Sequence, residues 1–224
     1  ILNYKVKDFL EFTDKVRFNV TLDSASLASN DIRYFYNGLG KNQHFKIKTK
    51  IQGTLNNLNF NGLRLSDRNG SRIVGNINFR NLLGNKSQKF SMYGKFNKLV
   101  SSYDNLVVLL PNVLGKKLPK ELQRIGKFNI VGTANVSTTD LETKFKMVTD
   151  LGNGQVELNM NNIDFIDKAS YSGNIVLDNF DIGALLNRKD IGKTTLNLDV
   201  NGVGFSKKYL NTIVKGDIAK FDYN

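Results

Sequence analysis

The feature that most constrains this chain is an internal repeat. Three passages share one grammar: an aspartate-led apolar turn, a break, and then an alternating strand that ends in glycine. Asp31-Ile32 opens the first, which passes Gly38 and Gly40 and runs along Phe45–Gln52 to Gly53-Thr54. Asp104-Asn105-Leu106 opens the second, which passes Val107–Leu110 and a Pro/Gly turn and ends its strand at Gly132-Thr133. Asp181-Ile182 opens the third, with Ala184-Leu185-Leu186, then Asn187–Asp190, then a strand Thr194–Val200 ending at Gly202. The aspartates lie 73 and 77 positions apart and the strand-end glycines 79 and 70. A period of about 75 residues that drifts by a few is what modules with variable loops give. The boundaries that follow are 1–30 for the end of a preceding module, 31–103 and 104–180 for two full repeats, and 181–224 for the start of another. All belong to one continuous elongated domain.

The middle passage, Leu109 to Val136, shows the unit most clearly. It holds both prolines, Pro111 and Pro119. Pro119 suits a first helical turn, where its fixed φ is helical and its missing N–H costs nothing. Leu122 and Ile125 share a face at a spacing of three, and Gly126 supplies a left-handed stop. From Lys127 the period changes to two, so Phe128, Ile130, Gly132, Ala134 and Val136 point one way with mostly polar residues between them. The spacing predicts a short amphipathic helix feeding a half-buried strand.

Further alternating runs fill each module. Lys15–Ser24 precedes the first repeat. Leu55–Leu65, Ser71–Phe79 and Lys89–Phe96 follow in it, divided by Asp67–Gly70 and Gly84–Ser87. Asp140–Thr149, Gln155–Met160 and Ser170–Leu177 follow in the second, divided by Gly152–Gly154 and Asp164–Lys168. Tyr209–Ile218 follows in the third. Short turns between alternating strands predict an antiparallel meander with one apolar face.

Glycines fall on the apolar phase of these strands, as in Ile73-Gly75-Ile77, Ile130-Gly132-Ala134 and Val214-Gly216-Ile218. Glycine inside a strand weakens it and marks a bend, a bulge or a close approach. Two readings follow. A sheet bent along a glycine line gives a U-shaped trough lined by Leu, Ile, Val, Phe and Met; ordinary sandwich packing instead fits each glycine against a large neighbour. The absence of Trp and the small core of each module favour the trough. The expected fold is therefore all-β with short helices, an elongated repeating antiparallel β-groove with a hydrophobic interior.

Chemistry-bearing constellations are missing from the sequence. There is no cysteine and a single histidine, His44, which is expected in a surface loop. Thiolate chemistry is excluded, and Ser-His-Asp, Cys-His and imidazole-rich zinc sites mostly so. Gly38-Leu39-Gly40 and Gly152-Asn153-Gly154 are expected as turn glycines without a following helix, which makes poor phosphate loops. Asp164 and Asp167 read as solvated loop charges. The expectation is no enzyme, no cofactor and no metal. The net charge of +12 raises nucleic acid, anionic lipid or acidic partners. Basic residues read as scattered, mostly one per strand on the polar phase, which suits a solvated outer face. The Phe residues sit on the opposite phase from Lys, so no nucleic-acid platform is expected. No run approaches the roughly 18 apolar residues of a membrane helix. The chain opens at Ile1 without a signal-like segment, and the expectation is an internal piece whose missing ends carry the targeting.

A resemblance becomes specific at the central passage. LLPNVLGKKLPKELQRIGKFNIVGT resembles the recurring "LLP…LG…LPKEL…G.F…G" passage of TamB-type translocation and assembly proteins, Bacteroidota-like in detail. YSGNIVLDNFDIGALL, DIGKTTLNLDVNGVGF and LNTIVKGDIAKFDYN continue it in order, so the likeness runs from about Phe45 to the end. The resemblance implies a periplasmic bridge anchored in the inner membrane by an N-terminal helix and reaching towards the outer membrane. It further implies a TamA-like outer-membrane barrel as partner and a kinship with AsmA-like lipid-transfer proteins, whose trough conducts phospholipids.

On that reading phospholipid acyl chains lie along a greasy floor, since burying each methylene gains about 0.8 kcal/mol without polar recognition. The floor would comprise Ile51, Ile73, Ile77, Met92 and Phe96 in the first full repeat. It would continue through Ile130, Ala134, Phe145, Met147, Leu158 and Ile175 in the second, then Leu198 and Val214 in the third. The alternative is a non-conducting scaffold that receives nascent outer-membrane or autotransporter strands by β-augmentation.

Overall fold

A computed structural model of the chain describes residues 1–33, 39–83, 89–109, 120–206 and 208–223. It divides into two compact units: residues 1–100 with 105–117, and residues 101–104 with 118–224.

In the first unit, β1 (Leu2–Asn3), a 3-10 helix (Val6–Glu11) and α1 (Phe12–Lys15) lead into β2 (Arg17–Ala28). After α2 (Ser29–Ile32) come β3 (His44–Gly53), β4 (Leu58–Asp67), β5 (Arg72–Arg80) and β6 (Ser91–Ser102). Every pair of sequence neighbours among them is antiparallel. The short helix α3 (Tyr103–Leu109) follows.

The second unit repeats the scheme. A 3-10 helix (Lys120–Ile125) leads into β7 (Lys127–Ser137), β8 (Asp140–Thr149), β9 (Gly152–Asn161) and β10 (Ser170–Asp181). Beyond α4 (Ile182–Leu186), β11 (Ile191–Val203) and β12 (Asn211–Tyr223) complete it. These six strands also pair in sequence order, all antiparallel. The fold is all-β with short helices, and the sheet of each unit is open, not closed into a barrel.

The three repeat aspartates sit at the short helices, Asp31 in α2, Asp104 in α3 and Asp181 before α4, whereas Gly132, expected to end its strand, lies inside β7. Asp181 caps α4, its carboxylate accepting the Ala184 N–H at 2.7 Å, and Asn187 ends the helix with a left-handed φ of 57°. A carboxylate there meets one of the N–H groups that a first helical turn leaves unpaired.

Several expectations are corrected. The helix before Gly126 is a 3-10 helix, whose three-residue turn stacks Leu122 over Ile125. Both prolines, with the rest of 110–119, lie outside the described residues, as do Gly38 and the Gly84–Ser87 break. Gly152-Asn153-Gly154 is not a turn: these residues open β9, opposite Thr149, Val148 and Met147. The turn sits at Asp150-Leu151, where the Thr149 hydroxyl accepts the Leu151 N–H and donates to the Gly152 carbonyl. Gly152 is needed for closeness instead, since an added Cβ would stand 2.7 Å from the Phe180 Cα. His44 is exposed but is the first residue of β3, paired with Ala28. Most strands also run past their expected ends, because β-bulges let the ladder resume after the alternation slips. One such slip lies between Leu177 and Phe180 in β10.

Full burial of apolar side chains is sparse. Among the described residues it is confined to Val16, Phe45, Ile47, Leu63, Ala169, Phe180 and Leu196. Phe45 and Ile47 open β3 just after α2, and Phe180 lies just before α4. Part of the driest packing thus lies near the short helices, while Leu63 and Leu196 are buried within β4 and β11 and Ala169 just before β10.

One buried polar side chain organises the amino-terminal end. Asn56 donates through Nδ2 to Asp14 at 2.8 Å and accepts the Leu83 N–H at 3.2 Å through Oδ1. Its backbone N–H reaches the Thr13 carbonyl and its carbonyl takes the Leu82 N–H, both at 3.0 Å. It ties α1, the β3–β4 turn and the segment after β5 together.

Candidate functional site

Cross-strand partners in an antiparallel sheet point to the same side, so the register decides which residues share a face. In the first unit Ile51 stands between Val20 and Phe60, and Phe60 pairs onward with Ile77. Ile73 stands between Leu65 and Leu99, while Phe96 faces Gly75 and Met92 faces Phe79. The five residues expected on the floor there share one face.

The second unit gives the same result. Ile130 pairs with Met147, and Ala134 with Thr143. Phe145 lies between Gly132 and Val156. Leu158 lies between Thr143 and Gly173. Ile175 pairs with Val156 and Leu198, and Val214 pairs with Val200. All eight of these residues share one face. The register adds Val20, Phe60, Phe79, Val156 and Leu177, all of which lie inside the runs whose alternation the sequence shows.

The face is neither dry nor bare. Twelve of the thirteen expected floor residues are half-buried, and Val214 on the outer strand is 51% exposed. Among the described residues of each unit no second sheet packs on it, as the sandwich reading would require. Packing comes from within the face: Phe96 lies across Gly94, so that an added Cβ there would meet its ring at 2.6 Å. An aromatic ring laid over a strand glycine covers backbone that would otherwise face solvent.

The opposite face is polar, as expected from the Lys phase. Asn59 bonds Asn78 at 2.6 Å across β4 and β5. Asn174 reaches both Asn197 at 2.7 Å and Asp199 at 2.8 Å on β11. Lys144 and Glu157 form an ion pair across β8 and β9. Asp164 and Asp167 are exposed, and Asp167 accepts from the Ser206 hydroxyl at 2.6 Å. The expectation of basic residues mostly one per strand is corrected on β3, which carries Lys46, Lys48 and Lys50 at alternate positions of the polar face. The run KIKTK is the signal that showed it.

No group of three or more His, Cys, Asp or Glu able to hold a metal ion occurs among the described residues. None of their helices is long and apolar enough to cross a membrane. Fold and face together define a class: an open antiparallel β-meander with one half-exposed apolar face and one charged face. No protein-family model, curated protein or solved structure matches this chain.

Proposed function

We propose that this chain is a section of a TamB-like periplasmic bridge whose apolar face carries phospholipid acyl chains between the inner and outer membranes. The observation that supports it is the half-exposed apolar face carried by each unit, with full burial limited to a few residues. A face of this kind can exchange water for acyl methylenes without specific polar contacts. Transfer is passive on this reading and needs no catalytic residue. The bridge would work with a TamA-like barrel and an inner-membrane anchor, as the resemblance implies.

A scaffold for outer-membrane strands is the second reading, since a half-exposed apolar face can also receive the apolar side chains of an incoming strand.

Charge on the floor separates the two. Ile175 is half-buried on the apolar face, and Ile175→Asp should leave the ladder paired while placing a carboxylate among acyl chains. In cells carrying this substitution in the full-length protein, the conduit reading expects phospholipid delivery to the outer membrane to fall. Unchanged delivery, with crosslinks from the apolar face to nascent outer-membrane proteins, would favour the scaffold.

A further inference from the structure

The charge of this chain is unevenly placed, and its placement suggests a second surface independent of the apolar one. Residues 44–102, which hold β3 to β6, contain 11 Lys+Arg and a single acidic residue, Asp67. Residues 127–223, which hold β7 to β12, contain 11 Lys+Arg and 12 Asp+Glu. The fold is the same in both units, so a solvated outer face does not by itself require the first pattern. Asp67 neutralises little, because its carboxylate accepts the Asn69 and Ser71 N–H groups of its own turn, both at 2.8 Å.

The register gathers these cations. Lys48 stands directly opposite Arg64, a like-charge pair that disfavours the bare sheet. Lys46 and Arg72 flank Ser66 from the two neighbouring strands. Together Lys46, Lys48, Arg64 and Arg72 line a shallow hollow of about 430 Å³. Asp23 also lines it and approaches Lys48 at 3.7 Å. Lys46, Arg64 and Arg72 have no ion-pair partner among the described residues. Lys95 and Lys98 of β6 extend the basic face. In the second unit the corresponding positions pair instead, as Lys144 with Glu157 and Lys215 opposite Asp199.

We propose that the polar face of β3 to β6 binds the phosphate headgroups of an anionic lipid bilayer, with Lys46, Lys48, Arg64 and Arg72 as its centre. The cations spread over four adjacent strands, a two-dimensional array that suits a charged surface. Aromatic side chains interleaved with the cations would favour single-stranded nucleic acid. Here the Phe residues take the other face, and Tyr93, beside Lys95, lies at the end of β6 away from Arg72. The claim does not rest on lipid in the apolar face.

The test is co-sedimentation of the 224-residue chain with vesicles of phosphatidylcholine alone or mixed with phosphatidylglycerol. Binding should require the anionic lipid and weaken as salt rises. Neutralising two cations in Lys48→Gln/Arg64→Gln should weaken it about thirtyfold. Lys144→Gln/Lys215→Gln, the same change in the second unit, should leave it unaltered. All four residues are exposed, so both variants should stay folded, which unfolding curves check. Equal binding to neutral vesicles, undiminished binding by the Lys48/Arg64 variant, or loss in Ile130→Asp instead would overturn the proposal. So would full displacement by inorganic phosphate, which would make free phosphate the ligand, or tighter binding to an RNA oligonucleotide than to vesicles.

Discussion

Gly132 on β7 stands opposite Phe145 on β8, and a Cβ added to Gly132 would sit 2.6 Å from both the Cα and the Cβ of Phe145. The backbone of β8, with the Lys144 carbonyl oxygen nearest, thus fills the space a side chain at position 132 would need. The pairing of Gly75 with Phe96, of Gly173 with Leu158 and of Gly216 with Leu198 follows the same rule. Glycine on the apolar phase lets neighbouring backbone approach and leaves the large partner to cover both strands.

Gly132→Ala should therefore destabilise the chain by about 1–3 kcal/mol, the usual cost of forcing an atom into a filled site. Val131→Ala, next to it on the polar face and 48% exposed, should change stability by less than about 0.5 kcal/mol. Urea unfolding midpoints of the two variants check the contrast.

The uneven core makes a second contrast. Phe180 is 1% exposed, and its truncation to Ala should cost about 3–5 kcal/mol. Ile175 lies five residues earlier on the same strand but is only half-buried, so Ile175→Ala should cost clearly less than the usual 2–5 kcal/mol for a dry core position. Equal losses in calorimetric unfolding would mean the middle of the face is as dry as its helical end.

Asn56 is the polar counterpart. It is 5% exposed and bonded to two separate segments, so Asn56→Ala leaves the Asp14 carboxylate and the Leu83 N–H short of a partner. Asp14 and Leu83 are themselves exposed, so each lost bond should cost only about 0.5–1.5 kcal/mol. Faster amide exchange at Leu83 and in α1, ahead of the rest of the unit, is the expected signature.

Acid should act at the loop after α4. The Arg188 guanidinium donates through Nε to Asp190 at 2.7 Å, and this bond holds the carboxyl below its ordinary value of 3.8. A carboxyl depressed on folding adds stability above its unfolded value, and that gain is lost as pH falls through the folded one. The stability difference between the wild type and Asp190→Asn should stay constant at neutral pH and shrink below pH 3.8. Unfolding curves across that range give the answer, and a difference that grows on acidification would reverse the sign.

Much of the sheet is legible in the sequence because its period of two is local. Phe128, Ile130, Gly132, Ala134 and Val136 alternate without a slip, and β7 keeps them on one face. Bulges are not legible in the same way. The slip between Leu177 and Phe180 depends on how β11 pairs, so β10 reads four residues short. Gly152 reads as a turn residue because proximity to Phe180 comes from the far end of the next strand, β10. Asn56 is one of many asparagines, and only the meeting of α1 with the segment after β5 singles it out. The basic concentration on β3 to β6 was open to view in the residue order, but a charge averaged over the whole chain hides it.

The most direct test of the lipid-carrying face is native mass spectrometry followed by lipid extraction, on chain purified from bacterial envelopes without strong detergent. The account predicts more than one phospholipid per chain, lost in Ile130→Asp while the variant stays folded. A folded wild-type chain that emerges free of lipid would contradict it.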